Sequence, residues 1–205
     1  MWIIYAFGSA FFAGLTAVLA KCGIEHTNSH LATALRTIVV LIFSWIMVGI
    51  VGSFDTIHTI THKTFLFLIL SGISTGASWL CYFKALQLGN INKVTAIDKT
   101  SVVLTIILSF LFFKESVTAY KIIGMIILTI GTYLMVEKKK DTKQTSNAWL
   151  LYALLSVVFA SLTTILGKMG ITNIESNLGT AIRTSVVLIM SWIVVLVTHS
   201  QMNMN

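Results

Sequence analysis

The sequence predicts an all-α membrane protein with seven transmembrane helices, arranged as one complete five-helix repeat followed by a truncated, inverted second repeat. Three observations carry that prediction. Hydrophobic residues make up 56% of the 205 and charged residues only 10%, against about 25% charged in soluble globular domains, so the chain is too poor in charge to clothe itself for water. Apolar stretches of roughly 20 residues, the length that crosses a hydrocarbon core, recur seven times. Finally, residues 2–53 return at 149–200.

The spans follow in order. Residues 2–20 carry no charge. No Lys or Arg precedes them, as a cleavable signal would require, so the segment reads as a retained helix. Residues 31–51 form the second span, with Arg36 near its start. The third, 64–83, is uncharged and holds Gly72 and Gly76, a GxxxG spacing that lets a neighbouring helix come close. The fourth, 94–113, spans only if Asp98 and Lys99 lie within its first turns, and the fifth, 117–136, begins beside Lys121. The sixth, 148–167, is uncharged, and the seventh, 178–197, carries Arg183 near its start. The chain has no proline, so any break must fall on glycine, serine or threonine. Alternating ten-residue segments of a membrane barrel are missing.

The repeat is gapless at an offset of 147, with 27 of 52 positions identical. Two greasy helices aligned by chance would share Leu, Ile and Val. Here Lys21 matches Lys168, Trp45 matches Trp192, and Thr33-Ala34-Leu35-Arg36-Thr37 returns as Thr180-Ala181-Ile182-Arg183-Thr184. The segment is duplicated. Five spans precede the second copy, and an odd number makes it enter the membrane from the opposite face, giving inverted repeats of the kind that build secondary transporters. The domain organisation expected is a first repeat at 1–137, a charged, solvated linker at 138–147, and a second repeat at 148–205 that stops after two helices. That early stop reads as truncation of a longer pair.

A resemblance emerges from residues 79–89 (Trp-Leu-Cys-Tyr-Phe-Lys-Ala-Leu-Gln-Leu-Gly), 96–101 (Ala-Ile-Asp-Lys-Thr-Ser) and 109–115 (Ser-Phe-Leu-Phe-Phe-Lys-Glu), with Gly124 and Gly131 in the fifth span. The chain resembles the EamA family of the drug/metabolite transporter superfamily. The likeness covers 1–137 in full and 148–200 as the first two helices of a second repeat. It implies five helices per repeat, a short turn carrying Glu115 after the fourth helix, and a cell-membrane transporter of small metabolites. Ten-helix members imply a central cavity between repeats and alternating access. Their substrates vary widely, so the likeness leaves substrate open.

The residues themselves mark candidate cavity positions. Ser71, Thr75, Ser78 and Tyr82 share one face of the third span; Asp98, Ser101, Thr105 and Ser109 share one face of the fourth; Tyr5, Ser9 and Thr16 share a side of the first. A polar face must turn from lipid toward protein or water. The fifth span lacks such a stripe and is expected to face lipid or another protomer, which leaves room for a homo-oligomer. The alternative is that these hydroxyls bond neighbouring helices or their own i−4 carbonyls. Arg36, Lys84, Asp98 and Lys99 lie near span ends, all on one membrane side. Asp98 with Arg36 or Lys84 reads as a structural ion pair; the surplus positive charge also suits a small anionic substrate.

Other classes find little support. The formal charge of +7 reads as membrane topology and predicts no nucleic-acid partner. Basic residues favour the side opposite the N-terminus, whereas the family resemblance implies a cytoplasmic N-terminus, and the sequence leaves the two in conflict. No cofactor is expected. The chain carries no phosphate-binding GxxxxGK[ST] loop, HExxH or GxSxG, so neither ATP use nor enzymatic chemistry is expected. His58 and His62, or Cys22, His26 and His30, lie four apart without a convincing ligand set, and no metal is expected. The competing function is a non-transporting membrane subunit with a packing role.

Overall fold

The computed structural model describes residues 2–24, 28–116, 118–135, 148–171 and 174–198. The described residues are helical throughout: α1 (Trp2–Ile24), α2 (Ser29–Val51), a 3-10 helix (Ser53–Thr59), α3 (His62–Leu88), α4 (Ile91–Lys99), α5 (Ser101–Phe113), α6 (Ala119–Met135), α7 (Ala148–Gly170) and α8 (Ser176–Val197). Six spans are long and apolar enough to cross a membrane, α4 and α5 counting together as one; α6 is a shorter apolar helix. The linker expected at 138–147 lies outside the described residues.

Local chemistry sets the boundaries. The Asn28 side chain accepts the His30 N–H and starts α2; Asn90 accepts the Asn92 N–H and starts α4. Glu175, the repeat mate of Asn28, accepts the Asn177 and Leu178 N–H groups at the start of α8. Gly52 ends α2 at φ +73°, where a Cβ would be strained. The fourth span is broken at Thr100, whose N–H and Oγ1 both turn back to the Ile97 carbonyl, at 2.9 and 2.6 Å. In a chain without proline the break falls on Thr100–Ser101, where a hydroxyl satisfies the backbone that the helix releases.

Helix α3 is the hub. Along one side it meets α7 in the antiparallel sense: the Ser71 hydroxyl donates to the Thr163 carbonyl at 2.9 Å, and the Ser78 hydroxyl to the Ser156 carbonyl at 3.1 Å. On another side α8 crosses at the two glycines. A Cβ on Gly72 would stand 2.8 Å from Val186 Cβ and 2.9 Å from the Arg183 carbonyl oxygen, and one on Gly76 would stand 2.7 Å from Met190 Sδ. The GxxxG spacing therefore serves close packing within the chain. The C-terminal end of α3 meets the C-terminal end of α1 through Lys21 and the N-terminal end of α7 through Trp149.

Helices α2 and α8 meet with reciprocal contacts. Leu31 and Ala34 pack on Val195, while their repeat mates Leu178 and Ala181 pack on Val48, the mate of Val195. Such exchanged contacts are what a two-fold axis writes into an interface.

Candidate functional site

A cavity of about 240 Å³ opens where α1, α2, α3 and α4 converge beside α7. Arg36 comes from α2, about two turns past the Asn28 cap. Its guanidinium stacks over the Trp79 ring at 4.5 Å and stands 5.5 Å from the Phe83 ring. Both aromatics lie on α3, four residues apart and so on one face. A planar cation on aromatic faces is an attractive pairing that leaves the rim of the guanidinium, with its N–H donors, pointing elsewhere. A second hollow of about 390 Å³ lies between α1 and α2, and Arg36 borders both.

Asp98 enters from the end of α4, just before the break. Its Oδ1 accepts the Ser156 hydroxyl of α7 at 3.2 Å, and its Oδ2 lies 3.9 Å from Lys99 Nζ. The sequence suggested pairing with Arg36 or Lys84. Instead Asp98 is held by its own neighbour and by the second copy of the repeat, Arg36 stacks on the aromatics, and Lys84 donates to Gln87 at 3.0 Å. Tyr82 reaches Thr95 at 3.4 Å across the α3–α4 corner.

Of the positions marked from sequence, the cavity gathers Thr16, Arg36, Ser78, Tyr82, Asp98 and Lys99. Ser71 and Thr75 bond α7 instead, at the Thr163 carbonyl and hydroxyl. The Ser101 carbonyl accepts from Ser161 of α7 at 3.0 Å. Thr105 is half-buried, and Tyr5 and Ser9 are exposed on α1. Trp79 and Phe83 were not marked as cation partners, nor Ser156 as the holder of Asp98. The Arg36–Trp79 pairing joins two helices and has no signature in either one.

At the opposite end of α3 the chain is tied by charge. Lys168, at the end of α7, donates to Glu115 in the α5–α6 connection, and Lys121 approaches the same carboxylate at 3.5 Å. Lys168 also lies 4.8 Å from the Phe113 ring. The Lys168 hydrogen bond holds the Glu115 carboxyl below its usual range against an opposing desolvation, and the charges of Lys168 and Lys121 add to the lowering. At Glu175 desolvation pushes upward, but hydrogen bonds from Ser53, Leu178 and Asn177 outweigh it and leave the pKa lowered. Among the described residues no group of three His, Cys, Asp or Glu side chains is placed to hold a metal.

Residues 1–137 match the EamA-like transporter family. The chain belongs to that family. A Sinorhizobium protein named as an uncharacterized transporter is 41% identical over 134 residues, which are 65% of this chain and 95% of the relative. That relative is thus little longer than the matched stretch. An uncharacterized protein of Methanocaldococcus jannaschii is 28% identical over 103 residues, 46% of this chain and 75% of its own length. No solved structure matches. Family membership and the apolar helices together make this an integral membrane protein.

Proposed function

We propose that this EamA protein carries small solutes across the cell membrane by alternating access around the Arg36–Asp98 cavity. Seven spans are expected, with α6 crossing as the fifth at the short end of the membrane-spanning range. Residues 1–137 form one unit, 138–147 link it onward, and 148–205 supply the first two helices of a second, inverted unit. The name of the Sinorhizobium relative supports a transporter, and its length supports one five-span unit as a building block. The reciprocal α2–α8 contacts and the antiparallel α3–α7 packing support the inversion.

One observation carries the reading. Asp98, an acidic group within a predicted span, is held by Ser156 of the second copy at 3.2 Å. Ionisable groups within spans are costly and tend to mark solute or proton paths. Here the charged group and the seam between copies coincide, so movement of one copy against the other changes what Asp98 touches.

The test uses the full chain reconstituted into vesicles. Uptake of a panel of radiolabelled monocarboxylates, amino acids and sugars is compared with that of protein-free vesicles. At least one solute should accumulate above background, and Asp98→Asn should slow it about tenfold, the effect of roughly 1.4 kcal/mol on the limiting barrier, while expression is unchanged. Background uptake for every solute, or equal uptake by the variant, would remove this mechanism.

A further inference from the structure

We infer that the cavity at Arg36 binds a small monoanionic carboxylate, with the guanidinium as its anchor. The inference rests on the transporter reading for the meaning of the site, but not for its chemistry.

Arg36 is half-buried. Its contacts within the described residues are the faces of Trp79 and Phe83. Neither ring contact is a hydrogen bond from its N–H donors, and Arg36 lines the cavity. Lys21 is spent on the Leu86 and Gly89 carbonyls and Lys168 on Glu115; Arg36 differs from its repeat mate Arg183 in lining the cavity. A guanidinium seated over an aromatic ring, with the parallel donors of its fork, can meet two carboxylate oxygens at once.

Charge and size narrow the class. Asp98 is the one carboxylate lining the cavity, where Arg36 and Lys99 are the cations, and it is already engaged by Lys99 and Ser156. One acid against Arg36 and Lys99 leaves a surplus of one positive charge at the cavity, which a monoanion balances. The 240 Å³ volume corresponds to about eight water-sized groups at ~30 Å³ each. Ala13, Ala17, Ala20 and Ala160 also line it, giving a short apolar tail a stretch of wall without hydrogen-bond demands.

The experiment is equilibrium dialysis of the detergent-purified full chain with radiolabelled pentanoate, competed by unlabelled pentanamide, pentylamine and inorganic phosphate. Pentanoate should bind and the three competitors should fail to displace it. Arg36→Gln should weaken binding by about tenfold or more, and Arg36→Lys by less, since an ammonium keeps the charge but loses the fork. Arg183→Gln, altering the repeat mate outside the cavity, should leave affinity unchanged and shows that the fold tolerates loss of a span arginine. Asp98→Asn should bind at least as tightly as the parent. Displacement by phosphate or pentylamine, loss of binding in Asp98→Asn, or full affinity in Arg36→Gln would overturn the inference. Transport of other solutes without pentanoate binding would sink this inference and spare the transporter reading; pentanoate binding without any uptake would do the reverse.

Discussion

Helices α1 and α7 descend from one segment and share Tyr, Ser, Thr, Lys and Gly at matching positions, yet they occupy unlike surroundings. On α7, Ala153, Ser156, Val157, Ser161, Ile165, Gly167 and Gly170 are buried. On α1 the described side chains are exposed almost throughout, and Ala17 alone among them is buried. Its mate, Thr164, is exposed. The two copies therefore bury different faces. A helix with a small-residue face can be packed along it, but what packs there is decided by position in the fold. Here α7 lies along α3 and beside α4 and α5, whereas α1 touches α3 mainly at one end.

The largest expected contrast is at the serines. Ser156 is fully buried and bonds Asp98 and Ser78. Ser156→Leu should overpack the seam and strand those partners, costing about 3 kcal/mol; Ser9→Leu on exposed α1 should cost nothing measurable. Unfolding midpoints in mixed detergent micelles compare the two, and equal losses would mean that α1 is buried against something of its own.

Next come the matched glycines. A Cβ on Gly170 would sit 3.3 Å from Leu68 Cδ2 and Phe67 Cβ, while Gly23 has nothing within 4 Å. Gly23→Ala should be neutral or gain a few tenths of a kcal/mol from helix propensity, and Gly170→Ala should fall below it by about 1 kcal/mol. The same unfolding assay checks the difference.

The smallest effect is at the lysines. Lys168 pairs with a titrating carboxylate, and Lys21 with backbone carbonyls that do not titrate. The folded Glu115 carboxyl titrates below its unfolded value. Its contribution is therefore fully present above the ordinary glutamate range and lost as pH falls through the lowered folded value. The pair is surface-exposed and will be weak. Below neutral pH, Lys168→Gln should flatten part of the acid dependence of thermal stability, and Lys21→Gln should leave its shape unchanged. Identical profiles for the two variants would show that Glu115 is not the titrating partner.

Much of this was legible in the sequence, for identifiable reasons. Hydropathy located six of the seven expected spans as helices long enough to cross, because lipid demands about 20 apolar residues wherever a helix crosses, while the fifth is the shorter α6. The absence of proline left glycine, serine or threonine for any break, and the break falls at Thr100–Ser101, a position the sequence does not single out. The cavity was half legible. Helical periodicity put Ser78 and Tyr82 on one face and Asp98 near its helix end, and the structure gathers them. Periodicity could not separate Ser9 from Ser156, because the two copies are alike and burial depends on the neighbour. Nor could it pair Arg36 with Trp79, or show that Ser71 would be spent on the Thr163 carbonyl, since those are distances between helices.

The exchanged contacts between α2 and α8 have an evolutionary consequence. In an ancestor with one such helix meeting its own twin, a single codon change at the position of Val48 would have struck the seam twice. In this chain Val48 and Val195 are inherited separately, so each half of the seam can drift alone. A mutation there now changes the packing of one half of the seam and leaves the other as it was, which gives selection a way to make the two halves unequal.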